Sequence, residues 1–133
     1  MDELIYLGSP YTHIYDFIQK LRYMEVMRAV HALHQNNIYT FSPILYLHCL
    51  VKSFNKESGV DTWIEFDSTF LNRSDGFLVY KLPGWEHSLG LRKELELWST
   101  RKPSREIREL SLDNLSELES STNIKFEDLP FFN

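Results

Sequence analysis

Short apolar runs closed by glycine or proline alternate along this chain with longer stretches that contain neither. Leu4-Ile5-Tyr6-Leu7 is closed by Gly8-Ser9-Pro10, a length and an ending that suit a buried strand better than a helix. From about Ile14 to Gln35 there is no Gly or Pro, and the stretch contains Leu21, Met24, Met27, Ala29, Ala32 and Leu33. Its polar residues at 16, 19, 22, 25, 28, 31 and 34 have a period of three. That drifts around a 3.6-residue helix, so a helix is expected without one clear buried face. Asn36-Asn37 can end it, because Asn tolerates the left-handed conformation. Ile38-Tyr39-Thr40-Phe41 reads as a second strand stopped by Ser42-Pro43. Residues 44–59 are ambiguous, with an apolar patch as far as Val51 and a loop-like stretch from Lys52 to Gly59. Asp61-Thr62 offers an N-cap for a helix from about Trp63 to Arg73. Gly76-Phe77-Leu78-Val79-Tyr80 is a further strand, broken by Pro83-Gly84. Ser88 opens a helix of about Leu89 to Thr100, and Pro103 prevents its continuing. A fourth strand is expected within Glu106–Leu112, with Asp113 capping a last helix through Glu119.

Strand and helix alternating in this way predict an α/β fold: a flavodoxin/Rossmann-like three-layer sandwich whose parallel sheet has about four or five strands. At 133 residues the chain has room for one domain, residues 1–133. The net charge of −5 lacks the basic stripe that long nucleic acid requires, but a small nucleotide needs only a few local donors. Most of that charge lies beyond residue 103, where seven acids face three bases, so an acidic C-terminal extension is read from about residue 113. The single cysteine, Cys49, allows no internal disulfide and fits a reducing compartment. Met1-Asp2-Glu3 carries no basic region ahead of an apolar run, and no run approaches the ~20 residues of a membrane span. A cytoplasmic protein with no membrane partner is expected.

Ligands of open parallel sheets bind at the carboxyl ends of the strands. Gly8-Ser9-Pro10-Tyr11, Ser42-Pro43 and Lys81 to Ser88 fall there in this reading. The last leads into Ser88-Leu89-Gly90, a helix start whose free N–H groups suit an anion and whose glycine admits a close approach; Ser88 as a simple N-cap is the blander alternative. Glu94, six residues on, and Asp67 on the preceding helix are two carboxylates that can divide the roles of nucleophile and general acid. They can equally be two solvated helix acids among the chain's 19.

Tyr6-Leu7-Gly8-Ser9, Asp67 followed eight residues later by Asp75, and Ser88-Leu89-Gly90 with Glu94 together resemble the nucleoside 2-deoxyribosyltransferase superfamily. Within it the Ser-Leu-Gly-x-x-x-Glu spacing is similar to that of the 2′-deoxynucleoside 5′-monophosphate N-glycosidases. Ser9-Pro10-Tyr11, Phe41-Ser42-Pro43 and Pro83-Gly84-Trp85-Glu86 resemble a phage and bacterial branch. The resemblance covers about residues 4–103. It implies Glu94 as the nucleophile at the sugar C1′ and Asp67 as the group that contacts substrate and helps protonate the leaving base. It further implies Ser88 and the helix N–H groups, Gly90 included, on a 5′-phosphate, with Tyr6, Gly8 and Ser9 lining the sugar-phosphate side. Asp75 is expected to support the site loop through hydrogen bonds to backbone. Ser74 before Asp75 and Arg92-Lys93 before Glu94 depart from the usual pattern.

The expected activity is cleavage of the base–sugar bond of a (deoxy)nucleoside 5′-monophosphate through a covalent glycosyl-Glu intermediate. A 2-deoxyribosyltransferase, an NAD-cleaving glycosidase and a non-catalytic nucleotide sensor remain alternatives. Tyr11, Trp85 and His48 are candidates to stack on the base. His13 and His87 lie in rim loops, and Arg22, Glu25 and Arg28 read as a solvated helix face. His31-x-x-His34 and His48-Cys49 complete no zinc-like spacing, and no dinucleotide or P-loop fingerprint is present, so neither a metal nor a cofactor is expected. The apolar, aromatic end Leu129-Pro130-Phe131-Phe132 suggests docking, and a homodimer is expected.

Overall fold

The computed structural model describes residues 3–54 and 60–133. Four parallel strands, β1 (Leu4–Gly8), β2 (Tyr39–Phe41), β3 (Gly76–Tyr80) and β4 (Ile107–Leu110), form one sheet in the order β2-β1-β3-β4. The helices are α1 (Asp16–Gln35), α2 (Pro43–Phe54), α3 (Val60–Arg73), α4 (Leu89–Arg101) and α5 (Leu112–Glu119). This is the three-layer, Rossmann/flavodoxin-like arrangement that the alternation of elements predicts. β3 is buried at every position, as a parallel strand covered on both faces must be.

The pleat sorts the core into two halves. Ile5, Leu7, Leu78, Tyr80 and Leu110 face Val26, Ala29 and Leu33 of α1 and Leu115 and Leu118 of α5. Tyr6, Phe77 and Val79 face Leu71 of α3 and Leu91 and Trp98 of α4. The helix after β1 and the helix after β3 therefore lie on opposite faces, and the crevice between the carboxyl ends of these neighbouring strands is the topological switch point where such sheets bind ligands.

Several local expectations are corrected. Residues 44–54 are helical rather than ambiguous or looped, because α2 starts at Pro43, whose fixed φ and missing N–H suit a first helical position. The rest of the expected loop, residues 55–59, lies outside the described residues. Helix α3 starts at Val60, so Asp61 and Thr62 are inside it and do not cap a helix beginning at Trp63. The last helix is capped by Ser111, which accepts from the Asn114 N–H at 3.2 Å; Asp113 lies in its first turn. Asn37 takes a positive φ of 60° and ends α1 as expected.

The acidic C-terminal segment belongs to the fold. Asn36 donates to the carbonyls of Ala32 and Leu118 and accepts from the Ile124 N–H, which ties α1, α5 and the tail together. The end of the chain then runs antiparallel along β4: Glu109 N–H donates to Pro130 O, and Phe132 N–H donates to Ile107 O, each at 2.9 Å. Arg108 reaches across to the Glu127 and Leu129 carbonyls and lies 3.9 Å from the Phe131 ring. Phe132 packs edge-on against Trp85. The expected docking of the tail is thus onto the chain's own edge strand, covering backbone that would otherwise be open to pairing.

Deleting residues 129–133 removes buried Leu129 and leaves the Arg108 guanidinium short of a partner. The expected loss is about 2–4 kcal/mol, read as a lower urea midpoint, with self-association growing as β4 is uncovered. An unchanged midpoint would make the tail a passive end.

Candidate active site

The site is built where α3 and α4 cross the β1 side of the sheet. At the end of β1, Gly8 leaves room for α4: a Cβ there would come within 2.7 Å of Leu91 Cδ1 and 2.8 Å of the Phe77 ring. This approach lowers the second turn of α4 onto Tyr6, whose hydroxyl donates to Glu94 Oε2. Glu94 is only 6 % exposed and Tyr6 is fully buried. On α3, Asp67 is half-buried, with Oδ1 buried and without a hydrogen-bond partner. Its charge is felt at both Glu94 and Tyr6.

Desolvation dominates the electrostatics of the pair. Burial pushes Glu94 up to about 8; the Tyr6 hydrogen bond opposes that shift and the Asp67 charge adds to it. Burial alone pushes Asp67 up to about 7. The two carboxyls titrate as a pair near neutral pH. Between those values the pair carries one proton: burial and the Asp67 charge favour it on Glu94, and the Tyr6 hydrogen bond opposes them by favouring charge there. A charged carboxylate beside a protonated one is the state that nucleophile–acid chemistry requires.

The remaining expected residues divide. Ser9 is buried, its Oγ without a partner, on the loop leaving β1. Ser88 caps α4 by accepting from the Leu91 N–H at 3.3 Å, the blander of its two roles; its own O–H is left to donate. A Cβ on Gly90 would meet nothing within 4 Å, so the space beside this helix start is open. Tyr11 and His48 come together, Tyr11 Oη to His48 Nδ1 at 2.6 Å, with His48 stacked on Tyr23 at 3.9 Å. Trp85 does not join them. It lies against Phe132 and beneath Lys81, 5.0 Å from its ring centroid, so a base sandwich of Tyr11 with Trp85 is not assembled. Asp75 bonds backbone as expected but at the other end of the sheet, accepting from the Leu4 N–H at 2.8 Å; it fixes the start of β1 and not a site loop. His34 Nε2 accepts from the Thr40 N–H, and among the described residues no three metal-ligating side chains converge.

Arg22, expected with Glu25 and Arg28 on a solvated helix face, is instead half-buried and bonded to two loops. Its Nη1 donates to the Tyr11 and Thr12 carbonyls and its Nη2 to Pro83 O at 3.0 Å, joining the loops that follow β1 and β3. Gly84, at φ 90°, makes the space: a Cβ there would lie 2.5 Å from Nη2. Two cavities border neither carboxylate. One of about 440 Å³ lies between Asn36 and Phe126, and one of about 340 Å³ between Trp98, Lys102 and Phe131.

The chain belongs to the family described as Domain of unknown function (DUF1937), whose model matches residues 3–108. That span runs from β1 into β4 and holds every candidate site residue; the tail along β4 lies beyond it. Comparison with curated proteins returned no match.

The raised pKa values fix a sign for stability. Between about pH 4.5 and 8 the folded chain holds protons on Glu94 and Asp67 that the unfolded chain has released, so stability falls as pH rises through that window. Glu94→Gln and Asp67→Asn are therefore expected to raise the melting temperature over the parent more at about pH 8.5 than at about pH 5. For Glu94 the gain is on the order of a few kcal/mol. Equal differences at both pH values would mean that the carboxyls are not desolvated.

Proposed function

We propose that this chain is an N-glycosidase acting on a (deoxy)nucleoside 5′-monophosphate, as its resemblance to the nucleoside 2-deoxyribosyltransferase superfamily implies. The observation that carries the reading is buried Glu94, held by the Tyr6 hydroxyl, with half-buried Asp67 near enough to raise its pKa, at the ligand-binding side of the sheet. As the bond from C1′ to the base breaks, positive charge builds on the sugar, and a carboxylate below C1′ stabilises it and closes onto it. The bonding pair leaves with the base nitrogen, which takes the Asp67 proton. Water then attacks C1′ of the glycosyl-Glu94 ester, gives a proton to Asp67, and frees the sugar phosphate. Capture of the same ester by a second base would be transfer.

Open space at Gly90 and the unused donor capacity of Ser88 favour a phosphate at the start of α4. The reading includes a homodimer and a cytoplasmic setting. In favour of the first, Ile14, Phe17, Leu21 and Met24 form an exposed apolar stripe on and before α1. As to the second, among the described residues no helix is long and apolar enough to cross a membrane.

The deciding experiment is incubation with nucleosides, their monophosphates and NAD, with and without an acceptor base, following released base by chromatography. Release from monophosphates without acceptor supports the proposal. Release only with acceptor identifies a transferase, and binding without release a sensor. Glu94→Gln is expected to abolish release in a folded protein, and near-parental turnover in that variant would end the mechanism. Asp67→Asn should lose most with poor leaving bases; equal losses across bases would remove its role as acid. For Ser88→Ala, a loss of about 1.5–3 kcal/mol in KM for monophosphates alone is expected. If nucleosides weaken equally, Ser88 is a cap and nothing more.

A further inference from the structure

Arg22 differs from Lys81 and Lys52 in the groups it bonds. Lys81 is paired with Glu109 at 2.9 Å and Lys52 with Asp16. Arg22 is half-buried, and its partners among the described residues are three neutral carbonyls. Burial lowers its pKa, and no carboxylate acts to raise it. A guanidinium has five N–H donors. Two on Nη1 and one on Nη2 are used by the loops, which leaves Nε–H and one Nη2–H to donate to an anion. The carbonyls come from the loop after β1 and the loop after β3, so this positive charge stands over the β1/β3 switch point. Gly84 is shaped to admit it: a side chain at residue 84 would be strained at φ 90° and would strike Nη2.

We infer that Arg22 is an anion-binding residue of the crevice, taking the phosphate of the substrate through its two remaining donors from the α1 side while the start of α4 takes it from the other. This rests on the glycosidase reading for the identity of the substrate, but not for the anion site itself. An anion there supplies the counter-charge the guanidinium lacks and, by holding Arg22, fixes both loops about the base and sugar. Arg22 thus gives the site a reason to prefer phosphorylated over unphosphorylated nucleosides that does not depend on Ser88.

The test compares the parent, Arg22→Gln and Arg22→Lys by calorimetry with a 2′-deoxynucleoside and its 5′-monophosphate, and by thermal melts in inorganic phosphate against chloride of matched ionic strength. Arg22→Gln is expected to weaken the monophosphate about tenfold or more while the nucleoside changes less than about threefold. Arg22→Lys, which keeps the charge without the guanidinium, should fall between. The phosphate-dependent rise in melting temperature should be lost in Arg22→Gln. Equal weakening of both ligands would overturn the inference, leaving Arg22 a loop clamp only, and so would a phosphate shift unchanged in the variant. If the parent releases base from no nucleotide yet shows a phosphate shift that needs Arg22, the anion site stands and the glycosidase reading falls. Base release indifferent to Arg22 and to the phosphate has the opposite meaning.

Discussion

Helix α4 can lie against the carboxyl end of β1 because residue 8 has no side chain, and the candidate site follows from that one approach. With even an alanine at this position, Leu91 and the Phe77 ring would have to move, and both sit in the tightly packed layer with Trp98 and Val79. Leu91 is one turn before Glu94, so a displacement of that turn also lifts the carboxylate from the Tyr6 hydroxyl. The glycine that looks like a strand terminator in the sequence sets the height of the helix and the reach of its acid.

That geometry is unfavourable to the fold taken alone. Two carboxyls are withdrawn from water at one place, one with an oxygen that finds no partner, in a chain with ample exposed positions for its acids. Hydrophobic residues of similar size would pack the α3–α4 interface without the desolvation penalty. The surrounding aromatic layer, with Phe41 stacked on Phe70 at 4.1 Å and Tyr6 against Phe77, keeps the dielectric low and the pair's proton affinity high. Destabilisation concentrated at a ligand-binding edge is characteristic of chemistry in place of packing.

The sheet and its helices were legible because alternation, glycine and proline carry that signal directly. The boundaries of α2 were not. Ile44-Leu45-Tyr46-Leu47 has no polar stripe to mark a helical period, and Tyr46 is left exposed while Ile44 is buried; the usable sign was Pro43 in a first-turn position. On α1 the buried face uses Val26, Ala29 and Ala32, whereas Leu21, Met24 and Met27, the larger residues, are exposed, so size and hydrophobicity pointed away from the core. Glu94 and Asp67 stood out from the other acids only through the family pattern, since their meeting depends on how α3 crosses α4. Trp85 was misjudged because its neighbour Phe132 is 47 residues away in the chain, and Arg22 because its partners are backbone carbonyls, which leave no trace in side-chain identity.

The tail bears on the same edge from the other side. Phe132 rests on Trp85, and Lys81 lies 5.0 Å from one ring and 5.2 Å from the other while pairing with Glu109. The β3–α4 connection is therefore held at two points: by Arg22 at Pro83 on the β1 side, and by the chain's last residues at Trp85 on the β4 side. A loop of this kind, without regular pairing of its own, would otherwise sample many conformations and dissipate the orientation of the α4 start. The first restraint lies within the family match and the second beyond it. The core of the site is thus carried by the shared domain, while the rigidity of its rim in this protein depends on the segment that follows.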